Sequence, residues 1–167
     1  MEIAIISDTH LPRGRRRLPD SCVSRLRAAD LIVHAGDLIA ISVLEELRSY
    51  GEVVGVHGNV DDVDVRAALP EAAKLTAPGG IEIAIVHDAG PARGRLDRLR
   101  RRFPDAHAVI FGHSHIPLHE RAADGFQIFN PGSPTDRRRQ PAFTMGLVRA
   151  RARALERSLS FELVTLG

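Results

Sequence analysis

Five short segments carry side chains that bind divalent cations: Asp8-Thr9-His10, Gly36-Asp37, Gly58-Asn59, His87 and Gly112-His113-Ser114-His115. Together they offer two carboxylates, one amide and four imidazoles, the donors that divalent transition metals accept. No thiolate is among them, which disfavours a soft-metal site. A pair of ions about 3.5–4 Å apart needs several such donors and usually a bridging group. Asp8 and His10 are two apart, as are His113 and His115. In extended backbone such pairs point to the same side and can converge on one metal region. Glycines precede Asp37, Asn59 and His113, where a crowded site needs the backbone to approach closely. Any one of these segments alone reads as an ordinary turn or strand end. All five in one chain exceed what a fold requires, because burying so many polar groups without a partner is costly.

The elements that must position these residues are apolar runs just upstream of them. Residues 3–6 form a continuous apolar run that ends at Ser7-Asp8, the pattern of a buried strand meeting a polar loop. Leu31-Ile32-Val33 leads to His34-Ala35-Gly36-Asp37, Glu52–Val56 to His57-Gly58-Asn59, Ile81–Val86 to His87, and Ala108–Phe111 to Gly112-His113. Residues 19–29, 41–49 and 94–102 read as helices, the first opened by Pro19-Asp20. Residues 117–122, 125–130, 142–149 and 158–165 read as further strands punctuated by Gly125 and Pro131-Gly132. Strand–helix alternation followed by a run of strands predicts α/β layers with mixed sheets, two sheets packed together with helices outside. In such sheets ligands gather beyond the carboxyl ends of the strands, where all five donor segments fall.

The bulk composition bounds the rest. A chain of 167 residues, 44% hydrophobic and 26% charged, suits a single domain over residues 1–167 with a sizeable core. A formal charge of +2 gives no electrostatic case for a nucleic-acid partner. Aromatics at 4% argue against stacking platforms for single strands. Lys74 is the only lysine, so the basic residues are nearly all arginine. Cys22, the one cysteine, cannot form an intrachain disulfide, which fits a reducing compartment. No basic leader precedes the first apolar run and no apolar run is long enough to span a bilayer. A cytoplasmic location without membrane attachment is expected.

The five donor segments, read with Val60-Asp61 after Asn59, resemble those of the calcineurin-like metallophosphoesterases. Within that superfamily the chain is similar to the small bacterial and archaeal YfcE-like phosphodiesterases, which also carry a segment like Asn130-Pro131-Gly132-Ser133. The likeness runs from about residue 3 to about residue 148. It implies an α/β fold, a β-sandwich of two mixed sheets flanked by helices in a four-layer αββα arrangement. It implies that one metal takes Asp8, His10 and His115, that the other takes Asn59, His87 and His113, and that Asp37 bridges them. Asp37, Asn59 and His113 are also expected to act in catalysis. The implied reaction is hydrolysis of a phosphate ester, most naturally a phosphodiester, by a hydroxide activated between two divalent ions. Manganese is the first expectation for the metal, with iron, nickel, cobalt or zinc open. A small phosphate ester or nucleotide is the expected substrate, and by resemblance a homodimer is compatible.

The chain departs from larger relatives at Val60, where they carry a histidine that assists at the phosphate, so the leaving-group proton donor is unassigned; His57 is a candidate. Asp88 stands after His87 where relatives commonly have glycine. His34 and Asp61 are read either as groups that orient ligands or as ordinary core and turn residues, and Ser7 and Ser133 as hydrogen-bonding residues, not nucleophiles. The arginines at 13 and 15–17 and at 137–139 either approach substrate phosphates or are solvated loops. Those between 93 and 102 read as a solvated helix face. A non-enzymatic alternative also stands: the retromer scaffold subunit keeps this fold and works as an interaction surface.

Overall fold

The computed structural model describes residues 1–153 and 156–167. In chain order the elements are β1 (Glu2–Ile6), α1 (Asp20–Ala28), β2 (Leu31–His34), α2 (Ile41–Tyr50), β3 (Val53–Gly55), α3 (Val63–Ala68), β4 (Ala72–Ala77), β5 (Ile81–Val86), α4 (Arg95–Arg102), β6 (Ala108–Ile110), β7 (Leu118–Arg121), β8 (Gln127–Asn130), β9 (Phe143–Arg153) and β10 (Glu156–Leu166). The strands form two five-stranded sheets, ordered β10-β9-β1-β2-β3 and β4-β5-β6-β8-β7. Both are mixed. β1, β2 and β3 run parallel, β9 pairs antiparallel with β1, and β10 pairs antiparallel with β9. In the second sheet β5, β6 and β8 are parallel between the antiparallel edges β4 and β7.

Strand periodicity explains the layers. Successive side chains on a strand face opposite sides, so a strand apolar at every position must be covered on both faces. In β1, Ile3 and Ile5 pack between the sheets with Val33, Ile83, Ile85 and Phe129. Ala4 and Ile6 face the other way, against Leu26 of α1 and Leu44 and Leu47 of α2. The second sheet repeats the scheme, its Val86, Val109 and Ile128 packing on Leu99 and Phe103 near α4. The order is therefore helices, sheet, sheet, helix. Burying one Leu or Ile side chain contributes about 1.5–3 kcal/mol, so these three clusters fix the strand ends that hold the polar loops.

Two elements escape the sequence reading. α3 is a six-residue helix capped by Asp62, whose carboxylate accepts from Val65 N–H at 2.9 Å. β4 pairs along its length with β5. The closing hairpin is longer than expected, pairing Phe143 with Leu166 through to Arg153 with Glu156. On α4, Arg101 and Arg102 are exposed as a solvated face would be, but Arg95, Arg98 and Arg100 are not. Arg98 donates to the carbonyls of Ala89 and Pro91 at 2.6 Å each, and Arg95 donates to Gly90 O at 3.0 Å. Arg100 pairs with Asp124 at 3.0 Å. Arg95 and Arg98 thus tie the loop after His87 to the helix, and Arg100 ties the β7–β8 turn to it. Among the described residues, no helix is long and apolar enough to cross a membrane.

Candidate metal centre

All seven donor residues lie at the carboxyl ends of β1, β2, β3, β5 and β6, and all seven meet. Asp8, His10 and His115 each offer a donor atom within 4.8 Å of the others, as do Asp8, Asp37 and His87. Asn59 Oδ1 lies 3.1 Å from both His87 Nε2 and His113 Nδ1. Asp37 Oδ2 stands between the two groups, 3.3 Å from His87 Nε2 and 3.8 Å from His10 Nε2. The resemblance confines Asp8 to one cation, whereas its carboxylate reaches both donor groups. Asp8, His10, Asp37, His87 and His115 are buried, while Asn59 and His113 are exposed. The cluster therefore opens to solvent on the Asn59–His113 side.

The loops reach this geometry through backbone that side-chain-bearing residues rarely adopt. Asp8, His10, Asp37, His113 and His115 all have positive φ, between 47° and 68°. Each such residue costs on the order of 1 kcal/mol or more, and such strain persists only where neighbours over-determine it. The neighbours here are specific. Asp61 accepts from the N–H groups of Gly58, Asp37 and Ile39 at 2.6, 3.1 and 2.6 Å, binding the β2 and β3 loops together. It supports the Asp37 loop rather than the Asn59 side chain. Ser133 Oγ donates to Asp8 O at 2.8 Å, and Asn130 Nδ2 donates to Gly112 O at 2.8 Å. The Asn-Pro-Gly-Ser segment thus joins the first donor loop to the last. Asp136, which the sequence reading misses, accepts the His115 Nδ1–H with its backbone carbonyl; its one signal is an acid directly before three arginines.

Two glycines are required by close approach. A Cβ on Gly58 would overlap the Asp37 carboxylate, and one on Gly112 would overlap Ser7 Oγ and lie 2.8 Å from Asp8 Oδ2. We expect Gly58→Ala to displace Asp37 and weaken divalent-metal binding by about tenfold, measured by metal titration; unchanged affinity would contradict this packing.

The proton positions favour cations. His87 donates Nδ1–H to Ala35 O at 2.8 Å, so its Nε2 faces Asp37, Asn59 and His113. His115 likewise spends Nδ1–H on Asp136, leaving its Nε2 only 3.1 Å from His10 Nε2. Two imidazole nitrogens at that distance, beside two carboxylates, need a proton or a metal between them. Burial alone would lower the His87 pKa, but its hydrogen bond to Asp37 and the charges of Asp8 and Asp37 raise it above its ordinary value. Burial would also raise Asp37, yet the His87 bond and charge and the Val60 N–H bring it down to about 2. Asp8 is raised, burial outweighing His87 and His115, and burial lowers His10. The centre therefore holds acids and imidazoles in an arrangement that positive charge completes, and the residues fit divalent ions.

The chain matches the calcineurin-like phosphoesterase superfamily domain over residues 1–153. It belongs to that superfamily. A protein named "probable metallophosphoesterase" from Methanocaldococcus jannaschii is 35% identical over 140 residues, 81% of this chain and 69% of the relative. Another of that name, from Methanothermobacter thermautotrophicus, is 33% identical over 137 residues, 81% and 78% of the two chains. Vps29 of Entamoeba histolytica, solved with Zn²⁺, superimposes with a TM-score of 0.76 over 99% of each chain at 22% identity, a likeness of fold alone. Superfamily membership and the donor groups together make this calcineurin-like protein a metal-dependent phosphoesterase.

The remaining histidines sort by contact. His34 receives Gly36 N–H on Nδ1 and faces Thr9 Oγ1 with Nε2, both at 3.1 Å; it ties loop to loop and does not touch Asp37. His107 Nδ1 accepts from Glu82 N–H at 3.0 Å, and His119 Nε2 lies 2.9 Å from Gln127 Oε1. His57 lines a cavity of about 260 Å³ beside Asn59, His87, Arg66 and Arg102. A larger cavity of about 550 Å³ lies at the opposite ends of the strands, around Ile81, His107 and Gln127, and holds none of the donor residues. Size alone does not mark the site here.

Proposed function

We propose that this phosphoesterase is a phosphodiesterase that uses two divalent cations, Mn²⁺ foremost, on a small phosphate ester or nucleotide. The observation that supports this most is the meeting of seven donors from five strand ends, with Asp37 Oδ2 between His10 and His87. Asp8, His10 and His115 would hold one ion, and Asn59, His87 and His113 the other, with Asp37 shared. When bound, such a pair supplies an acidified water and positive charge at the phosphoryl oxygens. The chain's own part is to fix the donors. Asp61 and Ser133 lock the loops from behind, and Ala35 O and Asp136 O set the tautomers of His87 and His115.

Substrate would approach from the Asn59–His113 side, the exposed edge of the cluster, next to the 260 Å³ cavity. That space suits a compact leaving group better than a polynucleotide. Two divalent ions against two carboxylates and one hydroxide leave about +1 in the pocket, which favours an anionic phosphate. The test is a metal-resolved screen of purified protein against activated phosphomonoesters, activated phosphodiesters and cyclic nucleotides. Turnover of an activated diester with Mn²⁺, abolished by a chelator, is expected. Absence of turnover with every ester and every metal would overturn the reading in favour of an interaction module.

A further inference from the structure

The loop after Ser133 brings a cation to the His115 edge of the metal centre. Arg138 Nη2 lies 3.4 Å from His115 Nε2, the ring nitrogen that faces the first donor group. Arg138 Nε lies 3.3 Å from Asp136 Oδ2, and Arg16 Nη2 reaches the same oxygen at 3.1 Å. Asp136 is itself part of the frame. Its carbonyl holds His115 Nδ1–H, and its N–H donates to Ser133 Oγ at 2.8 Å, the hydroxyl that holds Asp8 O. Arg138 is thereby referenced to the same atoms that place Asp8 and His115. Its backbone is left-handed, φ 51°, a strained conformation of the kind found at functional sites.

The charges do not balance within this lip. Two guanidiniums, Arg16 and Arg138, face one carboxylate, Asp136, leaving one positive charge beside a centre built for more. Arg138 is 59% exposed in its side chain, and among the described residues its Nη1 has no protein partner. Its neighbour Arg137 instead donates to Gln140 O and lies over the Phe143 ring. A surplus positive charge beside the donor groups is relieved by an oxyanion, and a guanidinium matches phosphate oxygens in charge and planar geometry.

We propose that Arg138 is a substrate-binding residue that takes a non-bridging oxygen of the phosphoryl group, with Asp136 and Arg16 holding it in place. This rests on the metallophosphoesterase reading above. The ligand class is a phosphoryl oxyanion, and inorganic phosphate is its smallest representative.

The test is calorimetric titration of inorganic phosphate into the Mn²⁺-loaded wild type and the Arg138→Ala, Arg138→Lys and Arg139→Ala variants, with bound metal counted in each. Arg138→Ala is expected to bind phosphate on the order of tenfold more weakly with full metal content. Arg138→Lys should fall between, keeping charge without the fork, and Arg139→Ala should match the wild type. KM for an activated ester should rise in parallel with the phosphate Kd. Wild-type phosphate affinity in fully loaded Arg138→Ala overturns the proposal, as does loss of metal from that variant, which would make Arg138 a support of the metal site. If the loaded wild type binds no phosphate, the underlying reading falls and takes this one with it.

Discussion

Asp37→Asn should lower turnover of an activated phosphodiester by more than a hundredfold while leaving the fold intact. Loss of groups that merely orient metal ligands costs about 10- to 100-fold in affinity or activity, and Asp37 sits closer to the centre than those. Its Oδ1 accepts Val60 N–H at 3.0 Å, and its Oδ2 lies between two imidazole nitrogens from different donor groups. An asparagine keeps the shape and the bond from Val60. It removes the negative charge that both imidazoles face, and it can turn an amide N–H toward them. The variant should therefore bind fewer than two ions, read by native mass spectrometry or by elemental analysis after desalting. The far-ultraviolet spectrum should be unchanged. Equal turnover by the variant would defeat the assignment of Asp37 as the shared ligand.

The donor segments are legible in the sequence because each follows an apolar run too continuous to be anything but a doubly covered strand. Ile3–Ile6, Leu31–Val33 and Ala108–Phe111 show this most plainly, and their buried patterns match. β4 is not legible for the converse reason. Ala72-Ala73-Lys74-Leu75-Thr76-Ala77 has only Leu75 and Ala77 buried, and alanine carries little strand preference. Its conformation comes from pairing with β5, a tertiary cause. α3 is short enough that its Asp62 cap outweighs any periodicity.

The site divides in the same way. Donor types and order are local information, and so is the presence of glycine before Asn59 and His113, although what requires it is the distant Asp37 and Ser7. The left-handed backbone at five donor residues is not, because what enforces it lies far along the chain: Ser133 is 125 residues from Asp8, and Asp61 is 24 residues from Asp37. Asp136 is hidden for a further reason, since it holds His115 through its carbonyl, a group every residue carries. The helix-α4 arginines mislead because a run of like charges looks solvated. Here Arg95, Arg98 and Arg100 bond to loop carbonyls, which no charge pattern announces.

Metal-free protein should lose stability as pH falls from 7 to 5, and His34 should account for on the order of 2 kcal/mol of that loss. His34 is fully buried, and burial, with a smaller contribution from His87, lowers its pKa from 6.5 to about 3. Its ring is neutral in the fold, since Nδ1 accepts from Gly36 N–H. Above pH 6.5 the unfolded chain is neutral there too, and the full contribution is present. Between 6.5 and about 3 the unfolded chain binds a proton that the folded one refuses, so stability falls as pH falls. Each pH unit in that window costs about 1.4 kcal/mol, or about 2 kcal/mol by pH 5. His87 is raised and works in the opposite sense, its contribution being present at low pH and lost as pH rises through its folded value. The two are separated by His34→Asn, whose Oδ1 can still accept from Gly36 N–H but which does not titrate. Denaturant unfolding of both proteins at pH 7, 6 and 5 should give a flatter pH dependence for the variant, with the difference reaching about 30-fold in the folding constant. Parallel slopes would show that His34 takes a proton inside the fold, and that its bonds to Gly36 and Thr9 are not what keeps the first two ligand loops in register.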